Sequence, residues 1–192
     1  MLDILPFIFG TVKSILLISF LFVFAGCNEP DPYASLDRRL TLNDFKAKPY
    51  VYARGLIVTE VIYKIESIDS THYKPYVKCT IIPETIMHPK KSFITRNGFS
   101  EKDILLALKH EQCHYDISSL YAIEFKKATE ASLFNAKALP RQVDSVLYSL
   151  RPKYDSIQLR FDKDATYANR QIDKWSTRLN GELKAGIASI RK

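Results

Sequence analysis

The spacing of apolar positions changes along the chain, and each change marks a new element. Ile15 to Phe24 form an almost unbroken apolar run behind a single Lys13 and lead into the small residues Ala25, Gly26 and Cys27. That is the layout of an export signal rather than of a core segment. Residues 28 to 39, "NEPDPYASLDRR", are polar with two prolines, as a short tether would be. From Tyr50 to Ile94, β-branched and aromatic residues dominate "VYARGLIVTEVIYKIE", "YVKCTIIPE" and "SFITR". These stretches predict at least three strands, with turns near "SIDST" and "HPKK". In "SEKD", from Ser100, an acid stands three residues after a serine, the arrangement of a helix N-cap box. Residues 104 to 138, "ILLALKHEQCHYDISSLYAIEFKKATEASLFNAKA", then run without Gly or Pro, predicting one long helix or two with an unmarked break. Pro140 and Pro152 punctuate the next segment. Apolar residues return at spacings of 3 or 4 at Ile172, Trp175, Leu179, Leu183, Ile187 and Ile190, which predicts a C-terminal helix burying one stripe.

Together these elements predict an α+β fold in which a small antiparallel sheet packs on a long helix beside a C-terminal helical layer. The expected organisation is a signal over residues 1–26, a tether over 27–39 and a single domain over 40–192. The ending Ala25-Gly26-Cys27 resembles a bacterial lipobox, with Phe24 where leucine is usual, and the resemblance implies a lipid on Cys27. The alternative is an uncleaved anchor over residues 4 to 26, with Lys13 snorkelling. Either way the remainder is expected in the bacterial cell envelope, facing the periplasm or exposed on the surface, and held to the membrane.

Composition sharpens this picture only in part. With 46% hydrophobic residues the domain can bury a sizeable core and is not a disordered tail. The net charge of +7 comes from bases interleaved with acids rather than gathered in a stripe, so nucleic acid is not the expected partner. A basic surface facing anionic envelope polymers or lipids explains the charge better. Cys79 and Cys113 stand in a compartment where disulfides persist, and a bridge and two buried thiols both remain open.

Chemistry concentrates in "HEQCHYDI", residues 110 to 117. On a helix, His110 and His114 lie on one face a turn apart and can aim ring nitrogens at a single ion. Glu111 is turned by about a quarter revolution, beside that ion rather than on it. Zn²⁺ in such a place lowers the pKa of water to about 7, and the neighbouring carboxylate serves as general base. The spelling is H-E-x-x-H, the zincin motif. A catalytic zinc normally has a third protein ligand. Asp116 points away from the histidine face, and Glu124 or Glu130 would serve only if the helix broke before them. Asp162 lies in a separate segment and is the preferred third ligand, with Tyr167 as its rival. Gln171 is a further residue that could line the site, and Trp175 reads as a core anchor. His72 and His88, beside strand turns, read as surface histidines.

The motif sits within a longer pattern. "RLTLNDFKAKP", "KKSFITRNGFSEKDILLALKHEQCHYDISSLYA" and "LRFDKDATYANRQIDKW" together resemble the bacterial domain of unknown function 922 family, described as predicted secreted zinc-dependent proteases. The likeness covers about residues 39 to 178 and is most specific at the histidines. It departs from the family at Asn43, where a tryptophan is usual, and at Tyr167-Ala168, where the family has His-Gly. The resemblance implies a zincin-like fold and hydrolysis of a protein or peptide substrate in the envelope, with Zn²⁺ on His110 and His114 and with Glu111 as base. An edge strand near residues 56 to 63 would hold the substrate by strand addition. The missing histidine keeps two other readings open: a degenerate zincin that binds an envelope protein or polymer without turnover, and a metal-binding or chaperone-like lipoprotein.

Overall fold

The computed structural model describes residues 30–49, 53–165 and 169–191. The expected signal, the lipidation candidate Cys27 and the third-ligand rival Tyr167 lie outside them. Among these residues eight strands and α-helices follow in order, beside short 3-10 turns: β1 (Gly55–Leu56), β2 (Thr59–Asp69), β3 (Tyr76–Met87), β4 (Phe93–Ile94), α1 (Glu101–Glu130), β5 (Phe134–Asn135), α2 (Leu139–Asp164) and α3 (Asn169–Ile190). The architecture is α+β. Among the described residues, no helix is long and apolar enough to cross a membrane.

β2 and β3 form a long antiparallel ribbon pairing Thr59 with Met87 through to Asp69 with Lys78, with an irregularity between Ile65 and Ser67. β3 alternates strictly, burying Val77, Cys79, Ile81, Thr85 and Met87 on one face, which is why a 12-residue strand lies flat on a helix. Its other edge takes only the two-residue β5, leaving β2 at the margin of the sheet. β1 and β4 pair with each other in a separate ribbon, Gly55 with Ile94 and Leu56 with Phe93.

Three sequence expectations change in detail. The described part of the run 51–66 is not one strand, because β1 leaves to pair with β4 before β2 begins. The helical run 104–138 ends at Glu130, and its last residues supply β5, where Phe134 is buried opposite Val77. No Gly or Pro signals that end; a tertiary pairing overrides local propensity there. Pro152 does not stop α2, while Pro140 sits in its first turn, where a missing N–H costs nothing. Pro152 is exposed inside the helix and forgoes one backbone bond.

α1 is the central beam. Ser100 caps it, its hydroxyl accepting from the Asp103 amide at 3.2 Å. One side of α1 meets the sheet in a cluster of Ile81, Phe125, Phe134 and Val143. Another meets α2 and α3 around Cys113, Ile117, Phe161, Ile172, Trp175 and Leu179, so Trp175 is the expected core anchor. Cys79 and Cys113 are both buried free thiols, and burial pushes Cys113 up to about 12. They belong to different clusters, so no bridge forms.

Candidate metal centre

α1 and α2 run side by side, and their facing sides carry the chemistry. His110 and His114 stand one turn apart on α1, and Asp162 comes from the last turns of α2. His114 Nε2 is 2.9 Å from Asp162 Oδ1 and 3.1 Å from His110 Nε2, while His110 Nε2 is 3.3 Å from the same carboxylate oxygen. Three donors from two helices therefore converge on one point. Ligands on a tetrahedral ion with bonds of about 2.0–2.1 Å stand about 3.4 Å apart, so these spacings fit a divalent metal held by two imidazoles and a carboxylate. His110, His114 and Asp162 form the group of possible metal ligands among the described residues.

The surroundings prepare the donors. Gln158, one turn before Asp162, donates from Nε2 to the His114 carbonyl at 3.1 Å. This turns its Oε1 toward His114 Nδ1, with which it makes a short hydrogen bond. With Nδ1 carrying its proton toward Gln158, the Nε2 lone pair of neutral His114 is left for a ligand. Phe161 packs on both rings, with centroid distances of 4.6 Å to His110 and 4.9 Å to His114, and fixes their planes. Burial, helped by the nearby His114, lowers His110 to about 4, so it is a neutral donor at physiological pH. Burial also pushes His114 down, but the bonds to Asp162 and Gln158 and the charge of Glu111 outweigh it and raise its pKa. Asp162 is lowered by the two histidines, against its own partial burial.

Glu111 is buried beside this group, and burial raises its carboxyl to about 7. The Ile57 amide donates to it, favouring the ionised form. A methyl group on Gly55 would stand 2.5 Å from Glu111 Oε1, so only glycine lets β1 lie this close over the carboxylate. β1 and the start of β2 thus roof a cleft of about 310 Å³ whose walls include Leu56, Thr59, His110, Glu111, Gln158 and Asp162.

Other sequence candidates lie elsewhere. Asp116 faces away, accepting from Gln112 Nε2 at 2.7 Å with Arg39 Nη1 at 3.6 Å. Gln112 also accepts from the Leu40 amide at 2.8 Å, so the residues between the motif's histidines and just after them clamp the opening segment onto α1. Glu124 is engaged by Lys153 and Tyr154, and Glu130 by Lys126. Gln171 is exposed and outside the cleft. His88 pairs with Glu60 at 3.0 Å at the surface, and His72 is exposed in its turn. Gln158, Phe161 and Gly55 were not singled out by sequence reasoning. The i, i+4 relation of Gln158 to Asp162 was the available signal, legible only once α2 was known to be a helix through that stretch.

Fold and site together define an α+β domain with a two-histidine, one-carboxylate cluster and an adjacent buried glutamate. No known protein family, no curated protein and no solved structure matches the chain.

Proposed function

We propose that this chain is a zinc-dependent peptide hydrolase of the cell envelope. The observation that carries the reading is the convergence of His110 Nε2, His114 Nε2 and Asp162 Oδ1 within 3.3 Å of one another, next to the buried carboxylate of Glu111. The three side chains would hold the metal. Zinc so held supplies a Lewis acid that polarises a carbonyl and makes water acidic near neutral pH.

The chain's own residues do the rest. Glu111 would accept a proton from the attacking water and return it to the departing amine, burial favouring its protonated form and the neighbouring cation its ionised one. The Ile57 amide and the bare Gly55 backbone hold that carboxylate in place. β2 has β3 as its sole partner among the described residues, so its other edge can accept an extended peptide. The H-E-x-x-H spelling of residues 110–114 supports the same reading. The lipobox-like end of the signal supports a lipid anchor on Cys27.

Substitution of the base tests the proposal. Glu111→Gln keeps size and hydrogen bonding, so bound zinc should be unchanged while peptide turnover falls by roughly 10²-fold or more. Zinc-loaded wild type that cleaves no peptide refutes catalysis and leaves a binding module, and a variant that cleaves as well as wild type refutes Glu111 as the base.

A further inference from the structure

Beyond the metal cleft, the face of α1 that carries His110 and His114 continues through Ser118 and Tyr121 at spacings of four and three. These two residues floor a second cavity of about 300 Å³, which shares Thr59 and Gln158 with the metal cleft. One groove therefore runs away from the metal centre. Its far wall is α2, read backwards from Asp162 through Gln158, Tyr154, Arg151 and Tyr148. Its near wall is β2, where Thr59, Glu60 and Val61 line it in succession. Adjacent strand residues point to opposite faces, so three in a row at one wall means that the strand's edge borders the groove.

We propose that this second cavity is an aromatic-selective subsite, occupied by an aromatic side chain of an extended peptide about three residues from the bond held at the metal centre. The proposal rests on the peptide-hydrolase reading and names its substrate preference. From His114 to Tyr121, α1 advances seven residues, about 10 Å at 1.5 Å per residue. An extended chain covers that in about three residues at ~3.3 Å each.

The lining decides the chemistry. The Tyr121 ring lies stacked with that of Tyr154 at 5.0 Å and 28°, and Leu147 adds an apolar contact. Tyr148 stands at the rim, 63% exposed, a large ring with little packing of its own. Arg151 Nε lies 3.6 Å from Asp155, and Glu60 Oε2 lies 3.0 Å from His88 Nε2. An acidic side chain would meet the carboxylates of Glu60 and Asp155, whereas a neutral ring gains faces and edges to pack against. An open strand edge supplies sequence-independent main-chain bonds, and such a pocket supplies the selection.

The test uses the full chain in detergent, zinc-loaded and carrying Glu111→Gln, with fluorescein-labelled peptides in which a single Phe or Glu is walked along an alanine-based sequence. Fluorescence anisotropy reads binding, so the subsite is tested whether or not turnover occurs. Phe at one position should tighten binding at least tenfold over alanine, and Glu at that position should not. Adding Tyr148→Ala, a change at an exposed rim, should reduce the Phe-to-Ala ratio below threefold. A Glu peptide that binds as tightly as the Phe peptide, no position preferring Phe, or an undiminished ratio in the Tyr148 variant overturns the subsite. Wild type is then given the same peptides and the cuts are mapped by mass spectrometry. A cut about three residues from the Phe supports the spacing, and one beside it overturns the spacing. An intact Phe preference with no cut by wild type retains the subsite and overturns the hydrolase instead.

Discussion

Asp116 shows how residues of one motif divide their labour. Two positions beyond His114, it is buried against the opening segment rather than turned to the metal group. Burial raises its carboxyl from 3.8 to about 6, although the hydrogen bond from Gln112 and the charge of Arg39 oppose the shift. A carboxyl whose folded pKa is raised contributes stability below its unfolded pKa and loses that contribution as pH rises through the folded value. Between pH 4 and 7, wild type with metal chelated should therefore lose on the order of 1–3 kcal/mol relative to Asp116→Asn, which cannot ionise. Denaturant midpoints of both proteins at pH 4, 5, 6 and 7 measure this. Parallel curves would mean that Asp116 is ionised in the folded chain across the range. The identities of His110, Glu111 and His114 could be read from the sequence because an i, i+4 pair on a helix has one geometry. The closeness of Gly55 to Glu111 could not, because it depends on β1 crossing above α1.

The element that completes the site is α2. Its inner face supplies Asp162 as a donor, Gln158 as the partner of His114 Nδ1, and Phe161 as the surface on which both imidazoles rest. Gln158→Leu preserves the volume but frees His114 Nδ1 from its partner. Zinc affinity should fall about 10- to 100-fold, the usual effect of losing such an outer partner, while turnover at saturating zinc changes much less. Competition with a chelating dye gives the affinity. An unchanged value would show that Gln158 does not orient the ring. The long helix α1 and the C-terminal helix α3 were legible as periodic apolar stripes. α2 was not, because Pro140 and Pro152 read as interruptions. One proline occupies the first turn and the other an exposed position where its ring meets solvent.

The described residues from Asp31 onward form one compact unit, with α1 shared by the core and the site. The helices that bury Phe161, Ile172 and Trp175 also align the three donors, so packing and site assembly are coupled. The α+β class and the antiparallel β2–β3 ribbon follow from the change of apolar period. The pairing of β1 with β4 and the insertion of β5 do not, because two-residue strands leave no periodic signal. The lipid anchor proposed on Cys27 predicts that Cys27→Ser will move the protein out of the membrane fraction, since two or three acyl chains bind stably and none binds at all. Fractionation at high salt checks it. A variant still sedimenting with membranes would favour an uncleaved anchor.

The direct test of the metal centre is calorimetric titration of zinc into the purified, chelator-treated full chain in detergent, run in parallel on Asp162→Ala. Wild type should bind one ion per chain and release more protons at pH 6 than at pH 8, because the bonds to Asp162 and Gln158 raise the His114 pKa and a ligating imidazole is neutral. Asp162→Ala should bind at least tenfold more weakly. Wild type that takes up no zinc, or a variant that binds it as tightly, would contradict the assignment of His110, His114 and Asp162 as the ligands.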